Sequence, residues 1–333
     1  MKTIKRVLIL YSLLLITPFT LAQPGQQIIN IGNFKTLSGL VINNATLSFR
    51  TLGEMNTDKS NVVIWPTWFT GTSEDIIKSG MLDKTLDTSG LYIILLDSLG
   101  NGASSSPSNT LNFPDITLAD MVEAQHRLLV NHLNIKHVRA VMGISMGGMQ
   151  ALEWMVRYPN YMDKVVSIAG APSLTSYDNL VWQAQVDLLE HAMKNKQGIE
   201  FALQKSYDIF YMNLSTPQDF SHFVASNNVK SFMAKKYQSM MAAKDYLVSV
   251  KALMSQNIFQ SANLDLKDIH TRIKADVLII LSESDQLVNS EHSLALAKAI
   301  KAKTLVVEGN KGHMAVFLQT SKIQDVASEF LHN

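Results

Sequence analysis

No cysteine occurs anywhere in this chain. Its absence removes disulfides, thiolate metal sites and a cysteine nucleophile from consideration. At 333 residues cross-links are not required, because a chain of this length buries a core large enough to hold its own fold. An excess of either charge is missing too. The 29 Lys and Arg stand against 28 Asp and Glu, a formal net charge of +1. A general basic surface of the kind that binds nucleic acid is therefore not expected. No dense run of Lys and Arg marks a membrane-surface patch. No His pair or His–carboxylate pair stands at metal-ligand spacing on one element, and no glycine-rich loop with a lysine offers itself to phosphate. Neither a metal nor a cofactor is expected.

Apolar residues are what the chain has in quantity, 47% of the total. That suits one large domain or two small ones. The first residues stand apart. Lys2, Lys5 and Arg6 precede an uncharged, almost wholly apolar stretch over residues 7–21, which ends in the small-x-small sequence Thr20-Leu21-Ala22. This is the shape of a secretory signal peptide. The stretch is short for a bilayer core of ~30 Å and contains Pro18. Residues 1–22 are expected to be cleaved after Ala22, leaving no stable membrane span and a periplasmic or secreted protein.

The rest has no internal repeat. Residues 39–53 alternate apolar and polar around Asn43-Asn44, which predicts an antiparallel hairpin. Short continuous apolar runs follow at 61–65, 91–96, 138–142, 165–169, 277–281 and 304–307. Such runs suit strands buried on both faces of a parallel sheet. Helical spacing separates them at 116–133, 147–158, 290–300 and 321–331. The alternation predicts a parallel α/β sheet flanked by helices. One interval breaks the rhythm. Residues 173–270 contain no strong strand and are rich in Met, Tyr and Phe, which predicts a helical cap inserted into a core made of 23–172 and 271–333.

Gly143-Ile144-Ser145-Met146-Gly147 follows one predicted strand and opens a predicted helix. This is G-x-S-x-G in strand–turn–helix context, the nucleophile elbow of the α/β-hydrolase fold. Ser145 then stands at the C-terminal edge of the sheet beside a helix N-terminus, where negative charge is favoured. A serine hydroxyl needs a base and an orienting acid, and in this fold the chain order is Ser, acid, His. Of nine histidines, His313 alone sits in a turn-rich loop after the last strand, Gly309-Asn310-Lys311-Gly312-His313. Asp285 follows the preceding strand and is the expected acid; Glu283 is close enough to substitute. Two backbone N–H groups should hold the oxyanion. One belongs to Met146 and the other to Phe69 or Trp68, in the loop 66–72 after the first parallel strand. Trp68 is expected to face the substrate.

The segment from Gly143 to Pro159, GISMGGMQALEWMVRYP, resembles the elbow and helix of the homoserine O-acetyltransferase family. The Asp285 loop, Gly312-His313-Met314-Ala315 and Thr70-Gly71-Thr72 are similar to that family's acid, base and oxyanion-loop motifs, and the resemblance covers most of the chain after residue 40. It implies an α/β-hydrolase fold with an inserted cap, acetyl transfer from acetyl-CoA through an acetyl-serine, and a homodimer formed by the caps. Where the family has an arginine that grips homoserine's carboxylate, this chain carries Trp182, which the resemblance therefore implies faces the substrate, and an apolar ring cannot replace a bidentate clamp. A signal peptide would also take the protein away from cytosolic acetyl-CoA. The leading expectation is therefore an exported serine hydrolase acting on a small ester or related acyl compound. An O-acyltransferase and a non-catalytic binding protein on the same fold are the alternatives.

Overall fold

Eight strands make one sheet in the computed structural model, which describes residues 25–333. The expected signal peptide lies outside the described residues. In chain order the strands are β1 (Gln27–Lys35), β2 (Val41–Leu52), β3 (Val62–Pro66), β4 (Tyr92–Leu96), β5 (Val138–Ile144), β6 (Met162–Ile168), β7 (Asp276–Ser282) and β8 (Lys303–Val307). Across the sheet they run β1-β2-β4-β3-β5-β6-β7-β8. β1 and β2 join antiparallel, and every pairing from β4 through β8 is parallel. This is the α/β-hydrolase fold. The apolar runs became the parallel strands, and from β3 to β7 both faces are largely covered. The run at 304–307 departs from that expectation: it became β8, which stands at the edge of the sheet and is mostly exposed. Val62 and Ile64 of β3 face one apolar layer; their neighbours Val63 and Trp65 face the other.

The helices are α1 (Ser73–Lys78), α2 (Met81–Thr85), α3 (Leu118–Arg127), α4 (Met146–Arg157), α5 (Ser176–Asn195), α6 (Ile199–Leu214), α7 (Pro217–Phe223), α8 (Val229–Tyr237), α9 (Ala243–Met254), α10 (Ile258–Ala262), α11 (Glu291–Ile300), α12 (Ala315–Leu318) and α13 (Thr320–His332). Local chemistry sets several of their starts. α1, α3 and α5 each begin with a Thr-x-x-Asp capping box, in which the threonine oxygen accepts the third amide and the aspartate reaches back to the cap. Each such cap contributes about 1 kcal/mol. The six helices from α5 to α10 lie between β6 and β7, and a single antiparallel bridge, Ser173 to Asn257, joins the chain entering this insertion to the chain leaving it.

The hairpin differs from its expectation. Its turn is not at Asn43-Asn44 but at Thr36–Leu40, closed by the Thr36 N–H to Leu40 O and Gly39 N–H to Thr36 O hydrogen bonds. Asn43 and Asn44 lie inside β2, where the pairing with β1 is irregular. Asn44 takes a left-handed φ of 49°, and its amide donates to Asn33 Oδ1. Asparagine tolerates that conformation in a turn or in a bulge alike. The residue type therefore marked an irregularity without saying which kind.

Candidate active site

Ser145 sits at the junction of β5 and α4 with φ 58° and ψ −123°. A non-glycine residue there is strained, and surrounding structure must hold it. Its N–H donates to Ile168 O at 2.8 Å, and its carbonyl accepts from Met149. The turn is tight enough to forbid side chains on either side of it. A Cβ on Gly143 would lie 2.4 Å from the Gly147 carbonyl, and a Cβ on Gly147 would lie 2.4 Å from Pro66 O. Serine at a helix N-cap ordinarily spends its oxygen on the first-turn amides. Here the Ser145 hydroxyl makes no such bond. It lies 2.9 Å from His313 Nε2 instead.

His313 occupies a single 3₁₀ turn, Gly312–Met314, between β8 and α12. Its Nδ1 is 2.6 Å from Asp285 Oδ2. The other oxygen of Asp285 accepts the Leu287 and Val288 amides, both at 2.9 Å, so the carboxylate is held in one orientation. Ser145, Asp285 and His313 are all buried. Sequence positions 145, 285 and 313 thus converge into one hydrogen-bonded line. Glu283 points elsewhere: it accepts the Gly309 amide at 3.2 Å.

Serines that nothing in the sequence singled out stitch the acid and base loops together. Ser282 Oγ donates to Gly312 O at 2.8 Å; Ser284 Oγ donates to Gly309 O at 2.6 Å and accepts the Gly312 amide at 3.1 Å. The helical insertion reaches the same loops. Asp178 on α5 accepts the Asn289 amide at 3.1 Å, beside the acid. Thr216 Oγ1 donates to Asn310 O at 2.6 Å, and Lys311 Nζ lies 2.5 Å from Asp219 Oδ1, beside the base. These short polar residues carry no motif, and only the folded chain brings them together.

Met146 is the first residue of α4, where an amide has no partner within the helix. Phe69 follows β3 in the loop that packs against the same helix start. Its ring is buried among Trp182, Phe210 and Tyr246, with centroids 5.2, 5.5 and 5.1 Å away. Trp68 turns the other way. Its ring folds over Gly71 and meets Phe317 edge-on at 5.8 Å, and Phe317 in turn lies 6.1 Å from the His313 ring. Trp182 is fully buried, and its Nε1 has no hydrogen-bond partner among the described residues. The Tyr246 hydroxyl donates to Gln185 Oε1 at 2.6 Å, and burial raises its pKa far above the ordinary value, so it stays neutral. The wall behind Phe69 is therefore aromatic and uncharged.

Behind the same loop Asp97 accepts three bonds, from Ser73 N, Ser73 Oγ and Ser48 Oγ at 2.6 to 2.8 Å. Burial raises its pKa, and these hydrogen bonds offset only part of that rise. Among the described residues no cluster of three or more His, Cys, Asp or Glu side chains is arranged to hold a metal ion, and no helix is long and apolar enough to cross a membrane.

Chemically, the arrangement can take a proton from a serine hydroxyl, keep the resulting imidazolium beside a carboxylate, and present amides to a developing oxyanion. Known proteins share the fold that carries it. The model of the alpha/beta hydrolase fold family matches residues 61–320. A probable esterase of Corynebacterium glutamicum is 36% identical over 169 residues, 48% of either chain, so this chain spans about half the length of that relative. A homoserine O-acetyltransferase of Methanosalsum zhilinae is 29% identical over 90% of this chain and 71% of its own. Among solved structures, an acetylester hydrolase from Corynebacterium glutamicum superposes with a TM-score of 0.84 at 25% identity, covering 93% of this chain and 96% of the other.

Proposed function

Because this chain belongs to the alpha/beta hydrolase fold family, we propose that it is an exported serine hydrolase that cleaves a small ester or related acyl compound through an acyl-serine intermediate. The observation that carries the reading is the line from Asp285 through His313 to Ser145, at 2.6 and 2.9 Å. Ser145 Oγ attacks the carbonyl carbon as its proton passes to His313 Nε2. The negative charge that develops on the carbonyl oxygen is held by the Met146 and Phe69 amides. Asp285 keeps the His313 proton on Nδ1 and stabilises the imidazolium. The carbon–oxygen bond to the leaving alcohol then breaks, and that alcohol takes the proton from Nε2. Water attacks the acyl-serine, gives its proton to His313, and the acid departs as Ser145 regains its hydrogen.

Both hydrolysis and transfer use these residues. Two features favour water as the acceptor. Trp182 offers no charge to an amino-acid carboxylate, and the aromatic wall behind Phe69 suits a small acyl group or alcohol. The similarity to an acetylester hydrolase supports the same direction. Similarity to a homoserine O-acetyltransferase supports the second reading, an O-acyltransferase using acetyl-CoA. The test is incubation with acetate, butyrate and octanoate esters, with and without homoserine and other alcohols, and with acetyl-CoA as donor. Release of free acid that is undiminished by acceptors is expected. Transfer product outpacing free acid would sink the hydrolase reading. Failure of a fluorophosphonate probe to label Ser145 in wild-type protein would favour a non-catalytic binding protein.

Export rests on the composition of residues 1–22. Amino-terminal sequencing of the mature protein is expected to begin at Gln23, in the periplasmic or secreted fraction.

A further inference from the structure

One buried side chain outside the acid–base line touches both stretches that carry the proposed oxyanion amides. Gln150 lies on α4, one turn beyond Met146, and is fully buried. Its Nε2 donates to Thr67 O at 3.1 Å and to Met146 O at 3.3 Å. Thr67 is two residues before Phe69. The Gln150 Oε1 accepts from Ser98 Oγ at 3.0 Å and from Gln125 Nε2 at 2.7 Å. A carboxamide has two N–H donors and two lone pairs on oxygen, and all four are used. The reverse orientation would set the oxygen against two carbonyls and the NH₂ against the Gln125 donor, so the surroundings admit one orientation only.

We propose that Gln150 is a positioning residue that sets the separation of the Met146 and Phe69 amides by tying the carbonyl of Met146 to that of Thr67. Resting on the acyl-serine reading above, this assigns the spacing of the oxyanion site to a residue that never meets the substrate. β3 and α4 touch where Gly147 meets Pro66 O and Thr67 O, and the loop beyond Thr67 leaves the sheet. The Gln150 amide adds a side-chain link between α4 and the start of that loop. Preorganised donors act only if they stand where the oxyanion will form, and an ångström of displacement weakens them strongly.

The variants Gln150→Met and Gln150→Glu test it. The first removes all four bonds at nearly constant volume; the second keeps the acceptor half but, as a buried neutral acid, has one donor for two carbonyls and so cannot tie them together. Both are expected to lower kcat by roughly 10- to 100-fold with KM changed less than about threefold, somewhat below the loss of a whole oxyanion donor. Fluorophosphonate labelling of Ser145, which builds charge on the same oxygen site, should slow by a similar factor. The control is Gln125→Leu. It breaks the Gln125–Gln150 and Trp154–Gln125 bonds but leaves both Gln150 donor bonds in place. It should lower the melting temperature about as much as Gln150→Met while keeping kcat within about threefold. An active wild type with an equally active Gln150→Met, or an equal kcat loss in Gln125→Leu, overturns the positioning role. A wild type that neither turns over esters nor labels at Ser145 overturns the acyl-serine reading itself. A wild type that labels without turnover still tests Gln150 through the labelling rate.

Discussion

Asp285 is where a single atom decides most. Asparagine at this position could still accept the Leu287 and Val288 amides, but its NH₂ would face His313 Nδ1. The imidazole would then carry its proton on Nε2 and could not take one from Ser145. Asp285→Asn is expected to lower kcat by roughly 10³- to 10⁴-fold with little change in melting temperature. Ester turnover beside a thermal melt checks both halves. Asp97 gives a prediction of another kind. Burial raises its pKa in the folded protein above the ordinary carboxylate value of 3.8. A raised acid binds protons more tightly folded than unfolded, so its ionisation costs stability at neutral pH, and that cost disappears as pH falls through the raised value towards 3.8. Relative to Asp97→Asn, which cannot titrate, the wild type should gain stability over that interval. The gain is about 1.4 kcal/mol for each pH unit separating the folded from the unfolded pKa. Urea unfolding of both proteins at pH 7 and at mildly acidic pH reads it; a difference that stays constant, or moves the other way, would show that Asp97 folds already ionised at no cost.

Elements place these atoms. β5 and α4 deliver Ser145, β7 delivers Asp285 and β8 delivers His313, three parallel strands whose C-terminal ends share one edge of the sheet. The insertion from α5 to α10 does more than cover that edge. It grips the acid loop through Asp178 and the base loop through Thr216 and Asp219. Asp219 is nearly buried at the start of α7, so its bond to Lys311 lies in a partly water-excluded place. Asp219→Asn is expected to lower kcat by about 3- to 10-fold through a shifted His313 loop. It should also lower the melting temperature by about 2–4 °C, the size of a 1 kcal/mol loss in a chain this long. Steady-state kinetics with a matched melt measures it. An unchanged kcat would mean that the insertion holds the loop by packing alone.

At the scale of the whole molecule, the insertion leaves Phe201, Met212 and Phe223 exposed on α6 and α7. Large exposed apolar side chains of this kind are suited to contact with a second copy. A homodimer through these helices is expected, with twice the monomer mass in light scattering after gel filtration. Phe201→Glu combined with Met212→Glu should return it to monomer while the melting transition persists. What the sequence determined by itself was the repetitive part and the motif: apolar runs of five or six residues between helical stretches suited strands covered on both faces, and G-x-S-x-G between a strand and a helix forces a tight turn. The order of Ser145, Asp285 and His313 followed from strand ends. Tertiary structure alone decided between near-equivalent groups and assembled the unmarked ones. Asp285 rather than Glu283 faces His313 because Leu287 and Val288 orient its carboxylate and Gly309 engages the glutamate. The hairpin turned at Gly39 rather than Asn44 because pairing with β1 set the register. Ser282, Ser284, Thr216 and Gln150 each bond to a residue in a segment between 25 and 94 positions away in the chain. Hydrogen bonds between such segments depend on distances that no local pattern encodes.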